Sequence, residues 1–487
     1  MTDAVAVLER LRALRAADAP THGGRVLSYV YDSGRDELDD LADAAARLAR
    51  PLNGLDPTVF PSISAMERDL IGFARRMLRG GRSVVGSITS GGTESCLLAV
   101  KTARDLWRAQ HPDATGRPRL VTPTTAHAAF QKAAALFDLD WDPVPCAPDG
   151  TVRAADLVDR LDDDVALVVV SAPAYPTGAL DPVAEVASAA ADRGVSCHVD
   201  ACFGGFVLPW WPGLPAWDFR VRGVTSISAD LHKFGYAPKG VSVLLHGGGG
   251  GRRRHRAQFF ATTRWPGYPV VNPTLLGSRS ASPLAAAWAI AQHLGERGYA
   301  ELTASTARAA AEFRRIVDGI QGLAVMGAPA GPAIALVADK NVSARERVDP
   351  HRLADAMLAH GWKVQHQPGL TQADGTRIPH SAHFTLTPVH EKEMAELGAA
   401  LRAASDSVRG VRAADARMLV AALRILGYRE GGRVPGPSAA WRLLRLAGAG
   451  RVSADQPMAM LMALIERLPA PVAEALLTEL LARLSEP

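Results

Sequence analysis

The sequence predicts an α/β protein with a mostly parallel sheet at its centre. Two features carry that expectation. From about residue 64 onward, short β-branched runs alternate with helical stretches, the signature of strands joined by right-handed helical crossovers. The run "VALVVVSAP" (165–173) is apolar over six consecutive residues, as in a strand covered on both faces. With 487 residues the chain is long enough for two or three domains.

Residues 1–20 read as an amphipathic helix, and 21–62 as loop-rich, broken by "THGG", "NGLDP" and "VFPS". "MERDLIGFARRML" (66–78) is helical. "SGGTESCLLAVKTARDLWRA" (90–109) opens on a glycine turn and continues as a helix. "RLVTP" (119–123) is a strand, "HAAFQKAAALF" (127–137) a helix and "VAEVASAAADRG" (183–194) another. "SCHVDACFG" (196–204) contains a strand end, and "GVTSISAD" (223–230) is a further strand. A long helical stretch follows from about 282, then a smaller α+β region with "PAIALVA" and "HFTLTPV" as strands. Four regions are expected: a helix and loop segment over 1–80, a large domain over 81–315, a small α+β domain over 316–410 and a helical extension over 411–487. The low-complexity run "HGGGGGRRRHR" (246–256) reads as a solvated loop, with a phosphate contact as the alternative. The run "PWWPGLPAW" (209–217) reads as a packed surface loop, with a wall at the site entrance as the alternative.

Apolar residues make up 48% and charged residues 21%, as in ordinary soluble proteins. A net charge of +4 is too mild to argue for nucleic acid. The four cysteines, Cys96, Cys146, Cys197 and Cys202, form no close pair of the metal or disulfide type, so no metal site is expected and a reducing cytoplasm fits. The N-terminus lacks the apolar stretch of a signal peptide, and no run is long enough for a membrane anchor.

Four local motifs carry chemistry. "TSGGTES" (89–95) sets glycines, Gly92 among them, and Thr93 at a helix start, where free backbone N–H groups and the helix dipole suit a phosphate. His127 follows a strand at the start of a helix; it is either a cap or a flat ring for stacking on an aromatic ligand. Asp200 in "HVDACFGGF" falls at a strand end in apolar surroundings, where a carboxylate needs a partner. "SADLHKFGYAPKG" (228–240) holds two of the chain's seven lysines, Lys233 and Lys239, with His232 before the first. Lysine forms a Schiff base with a carbonyl and arginine does not. A phosphate cradle, a stacking ring, a buried acid and an imine-forming lysine, in that order, describe a site for pyridoxal 5'-phosphate. Cys202, two residues beyond Asp200, reads as packing beside it rather than as a nucleophile.

These motifs resemble the group II decarboxylase superfamily of pyridoxal-phosphate enzymes, most closely its sphingosine-1-phosphate lyase branch. "TSGGTES", "SAPAYPTGALDPV", "HVDACFGGF", "SISADLHKFGYAPKG" and "NPTLLGSR" carry the likeness. The resemblance implies fold type I, as in aspartate aminotransferase: a large domain on a mixed, mostly parallel seven-stranded sheet, and a smaller α+β C-terminal domain. It implies a homodimer with shared active sites, acting on a small amine or amino acid. By resemblance, Lys233, Gly92, Thr93, His127, Asp200 and His232 bind the cofactor, and Ser278 reaches the cofactor phosphate of a neighbouring subunit. Lys233, Asp200, His127, Tyr31 and Lys239 take catalytic roles; Tyr31, Asn53, Tyr175 and Lys239 lie on the substrate side. Two substrate-side positions depart from the family. In "NGLDPTVFP" Asp56 replaces a histidine expected to meet a phosphate, and Tyr29 stands where small residues precede Tyr31. If Asp56 faces the site, it would repel a dianion by roughly 4 kcal/mol at 4 Å and an effective dielectric near 20, unless it is neutralised or paired with Lys239. Two reactions therefore stay open: retro-aldol cleavage of a β-hydroxy amine, phosphorylated or not, to an aldehyde, and decarboxylation of an L-amino acid. A non-catalytic protein is the third alternative, opposed by the retention of Lys233, Asp200 and His127.

Overall fold

A computed structural model describes residues 3–446 and 456–486. Its centre is a seven-stranded sheet: β1 (Val85–Thr89), β2 (Arg119–Pro123), β3 (Asp140–Val144), β4 (Val165–Ser171), β5 (Ser196–Asp200), β6 (Val224–Ala229) and β7 (Ser242–His246). Across the sheet they run β1-β7-β6-β5-β4-β2-β3. Neighbours are parallel from β6 through β5, β4 and β2 to β3, while β7 is antiparallel to both β6 and β1. The fold is therefore the mixed, mostly parallel arrangement of fold type I. The apolar run of β4 is buried along all seven residues. The strands β1, β3 and β7 are not among those the sequence predicts. The edge strand β3, "DWDPV", carries two aspartates and a proline, as exposed edges do. In β1, Gly86 lies so close to β7 that a Cβ there would sit 2.2 Å from the Leu244 carbonyl oxygen.

The helix at the N-terminus covers Ala4–Arg15 and buries none of its residues. The segment expected to be loop contains a helix, Asp36–Ala49, which packs on the long helix Ser282–Asp318. Its first turn holds Asp36, Glu37 and Asp39, which complement the helix dipole, and it buries Leu38, Ala42 and Ala49. The long helix is interrupted at Gly295, whose φ of 53° and ψ of −170° are not helical. The glycine–arginine run is not a loop throughout: Gly251–Gln258 is a helix. Arg254 Nη1 donates to the Gly247 carbonyl at 2.8 Å, and His255 Nε2 lies 2.8 Å from Ser87 Oγ, so tertiary contacts hold a segment that composition alone leaves free. In the 209–217 run, Trp217 is buried and Trp210 stacks on Tyr299 at 5.5 Å, and neither lines the main cavity.

The smaller sheet runs Leu323–Val325, Ala333–Ala338, Ser381–Thr385, Gln365–Gln367, antiparallel throughout. It encloses its own core, including Phe313, Ile334, Trp362 and Phe384. The helices Arg417–Ile425, Pro437–Leu446, Ala459–Ile465 and Ala470–Ser485 form a further core around Val420, Leu444, Leu464 and Leu476. Within the expected extension of 411–487, residues 447–455 and 487 lie outside the described residues.

A polar joint ties these last helices to the small sheet. Glu466, with 8% of its side chain exposed, meets His351 Nε2 at 2.9 Å, Arg377 Nη2 at 2.8 Å and His380 Nδ1 at 3.5 Å. His380 also bonds Asp349 at 2.9 Å. Burial pushes the His380 imidazole down, but Asp349 and Glu466 outweigh it and hold its pKa up at about 9. This group is raised above its unfolded value near 6.5, so its stabilisation is complete below that pH and is lost as the pH rises through about 9. Glu466→Ala is expected to cost about 1–3 kcal/mol, because it leaves the buried His351 Nε2 without its partner and removes one of the two carboxylates that hold His380. A thermal melt checks this, and the difference from wild type should shrink above pH 9.

Candidate active site

The carboxyl ends of the parallel strands converge on one cavity of about 620 Å³. This is where open α/β sheets place ligands, because chains leaving adjacent strands diverge there. Beyond β1, Ser90, Gly91, Gly92 and Thr93 turn into the helix Gly92–Gln110 and line the cavity. A Cβ on Gly92 would lie 2.6 Å from Asp230 Oδ2 and 2.9 Å from Cys202 Sγ, so only glycine fits. Glu94 secures this turn, accepting from the backbone N–H of Ser90 and of Leu275, each at 2.6 Å. His127, beyond β2, is exposed and lines the cavity, and its Nδ1 accepts from the Ala129 amide at 3.2 Å. Its ring is thus available at the cavity, and the helix that follows takes Ala128 as its N-cap.

Asp200 ends β5, lines the cavity and is 8% exposed. Its Oδ1 accepts from the Cys202 amide at 3.0 Å and the Ser228 hydroxyl at 3.4 Å, while Oδ2 has no hydrogen-bond partner among the described residues. Lys233 follows β6. Its Nζ stands 3.0 Å from Asp230 Oδ2. Asp230 is 1% exposed; burial raises its pKa, but the Lys233 ammonium and then His232 outweigh this and hold it well below the carboxylate range. Burial likewise pushes Lys233 down, and Asp230 overcomes it, holding the ammonium well above the usual lysine range. His232 accepts at Nδ1 from the Gly240 and Val241 amides, both at 3.3 Å, which leaves its proton on Nε2, 3.3 Å from Asp230 Oδ2.

Tyr31 and Tyr175 close the opposite side with Phe203 between them, at ring separations of 6.2 and 5.4 Å. Burial pushes the Tyr31 phenol up to about 12. Lys239 is exposed as a residue, yet its ammonium turns inward, 4.6 Å over the Tyr31 ring and donating to the His232 carbonyl at 2.7 Å. Burial of that ammonium, then repulsion by Lys233, lowers its pKa to about 8. Tyr29 lines the cavity mouth, 62% exposed, with a left-handed φ of 62°.

Four expected residues, Lys239, Asp56, Asn53 and Ser278, are not in this wall. Asp56 is exposed and turned to Thr58, accepting from its amide at 2.9 Å and its hydroxyl at 2.6 Å; it does not pair with Lys239. Asn53 Nδ2 donates to the exposed Ser278 hydroxyl at 3.1 Å, and neither residue lines the cavity. The sequence reading gave no role to Asp230, whose i,i+3 spacing to Lys233 was a signal, or to Glu94, at the third helical position of a glycine turn. Gln365 also lines the cavity and carried no local signal.

A pyridoxal-dependent decarboxylase conserved domain matches residues 48–247. Sphingosine-1-phosphate lyase 1 of Rattus norvegicus is 34% identical over 392 residues, 80% of this chain and 65% of the rat protein. The match thus spans a little under two thirds of that relative's length. The Arabidopsis thaliana sphingosine-1-phosphate lyase is 32% identical over 83% of this chain and 72% of its own. The chain belongs to the sphingosine-1-phosphate lyase family of pyridoxal-dependent enzymes. A solved member of that family, from Burkholderia pseudomallei, superposes with a TM-score of 0.76 at 32% identity, covering 88% of this chain and 94% of that one. A Lactobacillus brevis glutamate decarboxylase shares the fold, with a TM-score of 0.74 at 20% identity over 85% of this chain and 94% of its own.

The residues present fit pyridoxal phosphate. The turn leaves no room for a side chain at Gly92, the free Asp200 oxygen could accept from a protonated ring nitrogen, and Lys233 offers a primary amine within the same cavity.

Proposed function

We propose that this lyase-family enzyme cleaves a β-hydroxy amine by a retro-aldol reaction, releasing an aldehyde. The observation that carries the reading is Lys239, an amine at the Tyr31 ring whose pKa of about 8 allows it to act as a base near neutral pH. A second supports it: no arginine lines the cavity among the described residues, so an α-carboxylate would lack a guanidinium partner. When bound, pyridoxal phosphate supplies an electron sink for the pair released at the substrate's α-carbon.

The chain's own residues then divide the work. The amides of Gly92 and Thr93 and His232 would hold the cofactor phosphate, and His127 would offer its ring to the pyridine. Asp200 would keep a proton on the ring nitrogen, and Lys233 would hold the cofactor through its Nζ. Lys239 takes the substrate's hydroxyl proton as the carbon–carbon bond breaks, with Tyr31 orienting it. Tyr29 and Tyr175 bound the substrate. Asp56, turned toward Thr58 and outside the wall of its own chain, leaves a phosphate on the substrate admissible. Ser278 and Asn53 lie outside that wall too, which supports a homodimer in which each subunit serves its neighbour's site. Four buried free thiols suit a reducing cytoplasm.

The test is a product assay. Purified enzyme is offered phosphorylated β-hydroxy amines and L-amino acids, with aldehyde and carbon dioxide followed in parallel. Aldehyde from the amines is expected; carbon dioxide without aldehyde would make the chain a decarboxylase. Because neutral Lys239 is the active form, kcat should rise with pH through about 8, and Lys239→Met should remove that limb.

A further inference from the structure

Gln365 is the only residue of the described cavity wall that comes from beyond Lys233. It lies on the strand Gln365–Gln367 of the small sheet, opposite His383. The Tyr175 ring packs on His383 at 4.4 Å, and the Tyr175 hydroxyl donates to Gln365 Oε1 at 2.7 Å. The carboxamide is therefore turned: its oxygen is engaged, and its Nε2 hydrogens have no partner among the described residues. The next residue, His366, points to the other face of the strand, 3.3 Å from both His351 Nδ1 and Asp355 Oδ1. That pairing pins the strand and holds Gln365 in place, so its two N–H groups are presented without a further ordering cost.

A neutral amide at this place selects a neutral acceptor. Lys233 stands 3.0 Å from Asp230 and the Lys239 amine donates to the His232 carbonyl, so neither is turned to a carboxylate facing Gln365, which would be desolvated without compensation. A hydroxyl oxygen has no such cost and accepts from Nε2 while it releases its own proton elsewhere. We infer that Gln365 determines specificity by donating a hydrogen bond to the substrate's β-hydroxyl oxygen, an inference that rests on the retro-aldol reading. As the hydroxyl loses its proton to Lys239, the same N–H faces the negative charge developing on that oxygen.

The experiment mixes the purified holoenzyme rapidly with each of two probes, a 2-amino-3-hydroxyalkyl phosphate and its 3-deoxy analogue, and reads binding from the cofactor's visible absorbance in the first turnover, before aldehyde from the hydroxylated probe accumulates. Wild type should bind the hydroxylated probe more tightly. Gln365→Leu should weaken that probe about tenfold and leave the deoxy probe within about twofold. Gln365→Glu, equal in shape but with no N–H to donate, should lose as much. If either variant keeps the wild-type preference, or weakens both probes equally, the assignment to Gln365 is overturned. Failure of the retro-aldol reading looks different: the wild type itself would show no preference between the probes and would release carbon dioxide from an amino acid.

Discussion

Lys233→Ala is expected to abolish the visible absorbance of lysine-bound cofactor, roughly 410–430 nm, and to lower turnover by at least roughly 10⁴-fold. The substitution also removes the ammonium 3.0 Å from Asp230, a carboxylate that is 1% exposed and then left with His232 alone. Stranding a buried charge in this way costs about 3–5 kcal/mol, so the alanine variant should melt earlier than wild type. Lys233→Arg separates the two effects. A guanidinium restores the charge beside Asp230 but does not form an imine, so stability should return while the absorbance and turnover stay lost. Absorbance or turnover retained in either variant would remove Lys233 from the centre of the chemistry.

Asp200 is the second residue with a large expected effect. Asp200→Asn keeps the side-chain shape and an oxygen to accept from the Cys202 amide, but it no longer holds a proton on a ring nitrogen. Turnover should fall by about 10³-fold or more with the cofactor still bound. Asp200→Ala should lose as much rate and bind cofactor more weakly. It also leaves the Cys202 amide unpaired, at a cost of about 1–3 kcal/mol. Turnover of Asp200→Asn within tenfold of wild type, measured on the substrate found in the product assay, would mean the electron sink does not depend on this carboxylate.

Much of the site was legible because its residues follow strands. Asp200 ends and Lys233 follows a strand that the sequence marks, and strand ends in a parallel sheet share one edge, whereas the Gly92 turn follows the unmarked β1 and was legible from its glycines alone. Local order along the chain was therefore enough to bring Asp200 and Lys233 together. The helix Asp36–Ala49 was missed for the opposite reason: its flanking breakers are local, whereas the surface it buries belongs to a helix that starts at Ser282, more than two hundred residues later. The helix Gly251–Gln258 was missed likewise, since the groups that hold Arg254 and His255 lie on β7, its following turn and β1.

By itself the sequence determined the sheet's parallel character, the family and the cofactor, and pointed to Lys233 as the lysine for an imine, because each is written in short contiguous motifs whose chemistry survives without knowing what packs on them. Only the tertiary structure decided which way Asp56 turns, that Lys239 folds back over Tyr31, and that Gln365 closes the wall from a separate sheet. These depend on burial and on distances between segments remote in the chain. Burial and through-space charge are what lower the Lys239 ammonium to about 8, and neither quantity is present in a linear order of residues.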